Sequence, residues 1–81
     1  MGQARTAVLA EVEEELGRAQ DKFSPFNSAH EGYAVILEEL DELWQEVKDK
    51  TGEPHKMREE AIQVAAMAVR FVIDVCDQGK E

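Results

Sequence analysis

The chain has 81 residues, of which 18 are acidic and nine are Lys or Arg, for a formal net charge of −9 at neutral pH. A single domain spanning residues 1–81 is expected at this length, and so small a domain buries only a modest core. The acid excess argues against an extended nucleic acid as partner, because phosphate backbones are held by Lys and Arg, but it permits a nucleotide whose charge is neutralised by a metal ion.

Cys76 is the single cysteine. It can close no internal disulfide, and its apolar neighbourhood predicts a small buried hydrophobe. The stretch Met1 to Gly17 contains Glu11, Glu13, Glu14 and Glu15 and no uninterrupted apolar core, so it does not read as a signal peptide. No apolar run has the length needed to span a bilayer. The expectation is a cytoplasmic protein without a membrane partner.

Three helices and no strands are predicted. The first runs from about Gln3 to Lys22, with Val8, Leu9, Val12, Leu16, Ala19 and Phe23 at the three-and-four spacing of one apolar face. Gly17 weakens it slightly, and Pro25 blocks its continuation. The second helix begins near Ser28. Ser28 and Glu31 have capping-box spacing, in which each side chain satisfies an orphan amide. Tyr33, Ile36, Leu37, Leu40, Leu43, Trp44 and Val47 then form its apolar stripe. Gly52 is expected as its stop signal, with Lys48 and Lys50 suiting the negative end of the helix dipole.

Pro54 pre-sets the third helix, expected from about His55 to Asp77. Apolar residues cover most of its circumference and leave a narrow polar strip of Lys56, Glu59, Glu60, Gln63, Arg70, Asp74 and Asp77. A helix apolar nearly all round is buried on most sides, and three helices from one chain do not surround it. The inference is a homodimer or homotetramer, with Ala65, Ala66 and Ala68 permitting close helix approach.

Chemistry centres on two short patterns. Glu39 and Glu42 lie three apart on the second helix, and Glu60 and Gln63 lie three apart on the third. Residues at this spacing share a helix face, so packed helices can aim three carboxylates and an amide at one point. An oxygen-only cluster suits Mg²⁺ or Mn²⁺. The competing account is an ordinary acidic edge. On a wheel centred on Leu40, Glu39 lies about 100° away and Glu42 about 160° away, which puts Glu42 toward solvent. The third helix favours the site, because Glu60 and Gln63 occupy its polar strip and burying such groups requires partners.

Asp74 stands eleven residues beyond Gln63, about 16 Å along the axis. It is too distant to share an ion and is expected against a remote part of a ligand or in a salt-bridge network, with Arg70 placed to neutralise Asp74 or Asp77. His30 and His55, near helix starts, are expected to be exposed. Trp44 is expected in the core or an interface, with a ring able to border a base. Lys22, Lys48, Lys50, Lys56 and Arg58 are expected to be solvated, although each has the length to reach a phosphate.

The order Glu-x-x-Glu, a short connection, then Glu-x-x-polar resembles the signature of the all-α nucleoside triphosphate pyrophosphohydrolases, the MazG-like and dimeric dUTPase superfamily. The string HEGYAVILEELDELWQEV looks like small MazG-like proteins of phages and mobile elements, and the resemblance covers about Val8 to Asp74. It implies a small antiparallel helical bundle completed by homo-oligomerisation. It also implies Mg²⁺-dependent (or Mn²⁺-dependent) hydrolysis of a nucleoside triphosphate between its α and β phosphates, giving the monophosphate and pyrophosphate. Glu39, Glu42 and Glu60 would then be metal ligands. Glu38 would be a further ligand or a base orienting water. The family's final Asp is Gln63 here, an uncharged and weaker ligand.

The expected function is therefore a house-cleaning nucleotide pyrophosphohydrolase acting on an NTP or dNTP. The alternatives are a nucleotide- or metal-binding regulator without turnover on the same fold, and an acidic helical module that binds a basic protein.

Overall fold

The computed structural model describes residues 2–80, so the expected domain's end residues, Met1 and Glu81, lie outside the described residues. Three α-helices follow one another: α1 (Gly2–Lys22), α2 (Ala29–Lys48) and α3 (Pro54–Phe71). Helix α3 continues into a π-helical turn, Val72–Cys76, and no strand occurs among the described residues. Helix α3 is central and packs against both α2 and α1, whereas α1 and α2 barely touch.

The α1–α2 connection is the best buried irregular segment. Phe23 still donates its amide to the Ala19 carbonyl at 2.9 Å, and Pro25 then prevents another turn. Phe26 is 2% exposed and joins Ala19, Ala66, Met67 and Val75 in the core, with Val12, Leu16, Val35, Ile36 and Phe71 packed around them. Gly32 on α2 makes room for this group. A Cβ there would stand 2.5 Å from Phe71 Cδ2 and 3.1 Å from Phe26 Cδ2.

Ser28 caps α2 as expected, its hydroxyl accepting from the Glu31 amide at 3.1 Å. The reciprocal half differs. The Glu31 carboxylate accepts from the Asn27 backbone amide at 3.0 Å, one residue further back than a capping box requires. The end of α2 also differs from expectation. Asp49, extended at ψ 108°, stops the helix, and its carboxylate accepts from the Thr51 amide at 3.0 Å and the Thr51 hydroxyl at 2.9 Å. This side-chain turn competes with helical hydrogen bonding. Gly52 is not the stop and has no positive φ.

The expected apolar stripes are only partly buried. Tyr33, Leu37, Leu40, Trp44 and Val47 on α2 are all exposed, as are Val8 and Leu9 on α1, Phe23 just beyond it, and Val69, Val72 and Ile73 near the end of α3. Of the polar strip of α3, Glu60 and Gln63 are half-buried, and Lys56, Glu59 and Asp77 are exposed. Arg70 is 3% exposed and Asp74 7%. Cys76 is exposed rather than buried, on the outward side of the helix with Val69 and Val72. The reason is economy of contacts. One chain supplies two neighbours for α3, and they cover the side bearing Ala66, Met67 and Arg70.

Arg70 and Asp74 tie the loop to the bundle. Arg70 Nε lies 3.3 Å from Asp74 Oδ2, an ion pair without hydrogen-bond alignment. Arg70 Nη2 donates to the Ser24 carbonyl, and the guanidinium stacks 4.2 Å from the Phe26 ring centre. Asp74 Oδ2 accepts from the Phe26 amide at 3.0 Å. The expected ion pair therefore forms within this anchor, with Asp74 rather than Asp77 as the partner. Lys80 Nζ adds a bond to the Phe26 carbonyl at 3.3 Å.

Candidate functional site

Glu39 leaves α2 one residue before the exposed Leu40, on the side turned toward α3. Glu42 follows almost a turn later, and Glu60 meets them from the first half of α3. One carboxylate oxygen from each of the three lies within 4.8 Å of the others. Glu39 and Glu60 are half-buried and Glu42 is exposed. This order of burial agrees with the wheel, which puts Glu42 toward solvent, although Ile36 and Glu39 are half-buried while Leu40, its centre, is exposed.

The electrostatics are unfavourable without a counter-charge. Glu39 is pushed up to about 7, first by desolvation and then by the neighbouring charges of Glu42, Glu60 and Glu38. Glu60 is also raised, again chiefly by desolvation, with Glu42 the next influence. Glu39 Oε2 and Glu60 Oε2 are buried and have no hydrogen-bond partner. Carboxylate oxygens are acceptors, so such a group is satisfied by shared protons or by a cation. Around one Mg²⁺, with oxygens at ~2.1 Å, ligand atoms stand ~3–4 Å apart. The Glu39, Glu42 and Glu60 oxygens fit that requirement after small side-chain movements. Were a cation held there, the all-oxygen donor set would suit a hard one.

Gln63 lies one turn beyond Glu60 and is half-buried. With Glu38 and Glu39 it lines one side of an open cleft of about 660 Å³ between α1, the α1–α2 loop and the α2–α3 pair. Phe23, Phe26 and Met67 form an apolar part of this cleft, and Arg18 and Lys22 reach it from α1. Sequence reasoning missed Arg18 and Phe26. Arg18 and Lys22 are four apart, which places both on one side of α1, and that spacing was the available signal.

The other positions expected from the sequence fall away from this cleft. Trp44 is exposed on the opposite flank of α2, with Lys48 Nζ 5.4 Å from its ring centre, so it borders no base at the cleft. Arg58 pairs with Glu11 on α1, one of the two bonds measuring 2.6 Å. That pairing holds the Glu11 carboxyl below its usual range. His55 pairs with Glu53 at 3.1 Å, and His30, Lys50 and Lys56 are exposed.

No family model, curated protein or solved structure matches the chain. None of the described helices is long and apolar enough to cross a membrane.

Proposed function

We propose that the protein is a Mg²⁺-dependent nucleoside triphosphate pyrophosphohydrolase, with Mn²⁺ as an alternative ion, working as a homo-oligomer. The observation that carries this reading is the convergence of Glu39, Glu42 and Glu60 from two helices, with two buried oxygens left unpartnered, beside a cleft of nucleotide size. The motif resemblance supports the same reading.

In this scheme Glu39, Glu42 and Glu60 hold the cation, and Gln63 contributes an amide oxygen directly or through water. A cation held by these residues would polarise the phosphates and neutralise their charge. Glu38, exposed on the cleft side of α2, orients the attacking water and takes its proton. Water adds to phosphorus as the bond between the α and β phosphates breaks, and pyrophosphate leaves. Arg18 and Lys22 offset the rest of the triphosphate charge, in a cleft whose wall is otherwise rich in carboxylates. Phe23, Phe26 and Met67 offer the base an apolar surface.

The test is pyrophosphate and monophosphate release from a panel of canonical and modified NTPs and dNTPs, with and without Mg²⁺ or Mn²⁺. Metal-dependent release that disappears in Glu42→Gln and Glu60→Gln is expected. No release from folded protein across the panel would sink the enzymatic reading.

Gln63 favours a second reading, a binding protein without turnover, because the resemblance calls for Asp at this position and the amide brings no charge. In that case calorimetry detects Mg²⁺-dependent nucleotide binding without hydrolysis, and Gln63→Asp gains turnover.

A further inference from the structure

We infer that Glu31, at the far end of the cleft from the carboxylate cluster, reads the base of the nucleotide, and that the base it selects is guanine. This deepens the nucleotide reading of the cleft and rests on it. The cleft runs along the α2–α3 pair. Glu31, Val35 and Glu39 line it from α2, and Gln63, Met67 and Arg70 line it from α3. Residues three or four apart share a helix face, and four residues advance about 6 Å. The two helices run antiparallel, because Gly32, early in α2, meets Phe71 at the end of α3. The cleft wall is therefore layered. Glu39 stands level with Gln63, Val35 with Met67, and Glu31 with Arg70.

Each layer suits one part of a nucleotide. Phosphates belong beside Glu39 and its neighbours. The middle layer is apolar and suits a sugar and the face of a ring. From Glu39 to Glu31 is eight residues, about 12 Å along the axis, a length that a nucleoside and its first phosphate span together. The edge of the base then falls at Glu31.

The hydrogen-bonding groups at that end decide which base. The Glu31 carboxylate is held in place, Oε1 accepting from the Asn27 backbone amide at 3.0 Å and Oε2 from the Asn27 side-chain amide at 3.3 Å. A carboxylate has about four lone-pair sites on its two oxygens, so each oxygen keeps one, and Glu31 is exposed. Arg70 does not compete as a donor, since its nitrogens are turned to the Ser24 carbonyl, Met67 Sδ and Asp74. Lys22 Nζ lies over the Phe23 ring, 5.4 Å from its centre. The far end therefore offers the base two acceptors held as a pair. Guanine meets a carboxylate with N1–H and an N2–H side by side, the parallel pair of donors that an arginine also presents. Adenine and cytosine place a ring-nitrogen acceptor beside their amino group, and it would face the second oxygen lone pair to lone pair. Uracil and thymine flank their one N–H with carbonyl oxygens, which the carboxylate repels.

The experiment is calorimetric titration of the full chain with GMP, IMP, AMP, CMP and UMP in Mg²⁺, wild type against Glu31→Gln, with circular dichroism on both. Monophosphates carry the base without the bond to be broken, so the result does not depend on turnover. The wild type is expected to bind GMP about tenfold tighter than AMP, CMP or UMP, the low end for a bidentate contact to a base, because Glu31 is open to solvent. IMP, which lacks only the 2-amino group, should bind more weakly than GMP. Glu31→Gln removes one acceptor and should bring GMP level with IMP while leaving the other affinities in place. Equal wild-type affinity for GMP and IMP overturns the inference, as does a loss in the variant shared by all five ligands, which would mark Glu31 as structural. If the variant unfolds, the wild-type comparison of GMP with IMP decides alone. Where no monophosphate binds, kcat/KM for GTP against ITP decides in the same way, and silence in both assays removes the nucleotide reading and this inference with it. Pyrophosphate release at equal kcat/KM from NTPs of every base overturns the inference and leaves the proposed activity standing. Tighter GMP binding by protein that releases no pyrophosphate supports the inference and sinks the activity.

Discussion

Replacing Glu39 by Gln should stabilise the metal-free protein and abolish its response to divalent cations. Glu39 holds its proton to about pH 7 in the folded chain, against an ordinary value of 4.5. At ~1.4 kcal/mol per pH unit the ionised form is disfavoured by about 3 kcal/mol at pH 8. Solvent reaches one side of the cluster and screens it, which leaves about 1–2 kcal/mol. Glutamine keeps the shape and removes the charge. The metal-free variant should therefore melt about 4–16 °C above the wild type at pH 8, at ~4–8 °C per kcal/mol for a domain of this size. Mg²⁺ at a hundred times its Kd should raise wild-type stability by about 2.7 kcal/mol and leave the variant unmoved. The assay is thermal melting followed by circular dichroism, at matched protein concentration, with and without Mg²⁺. A variant that melts below the wild type at pH 8, or gains as much from Mg²⁺, would refute the assignment of Glu39 as a repelled carboxylate awaiting a cation.

Three other outcomes follow from the same geometry. Between pH 4.5 and 7 the folded state binds more protons at Glu39 than the unfolded chain does, so Glu39's contribution to metal-free stability should fall as pH rises through that window; denaturant melts at pH 5 and 8 measure it, and Mg²⁺ should reverse the loss at pH 8. Arg70→Met should cost about 3–5 kcal/mol by leaving Asp74 buried without its cation, and a urea midpoint within error of wild type would show that the anchor carries no stability. Gly32→Ala should cost roughly 1–3 kcal/mol despite alanine's higher helix propensity, because its Cβ collides with the Phe71 ring; a stabilised variant would mean that the ring moves freely.

Local features were largely legible in the sequence. Pro25 and Pro54 delimit helices because a proline lacks an amide hydrogen and fixes φ, and Ser28 marks a helix start because its hydroxyl caps an amide three residues on. The Glu39, Glu42 and Glu60 group was legible for a similar reason, since spacing alone fixes which side chains share a helix face. Spacing does not say which face meets which neighbour. Leu40 belongs to the apolar stripe of α2 yet is exposed, whereas the charged Arg70 and Asp74 are buried. Helix α3 has two neighbours, and both lie on the side carrying Glu60, Arg70 and Asp74. Placement of Phe26 under Arg70, of Arg18 and Lys22 at the cleft, and of Cys76 on the outside depends on contacts between residues far apart in the chain. The sequence by itself determined the helices, their starts and the carboxylate pairs, all of which rest on interactions within a few residues. Only the tertiary structure decided which flank of α2 holds the carboxylates and which is left apolar and uncovered, because that choice is made by helix packing.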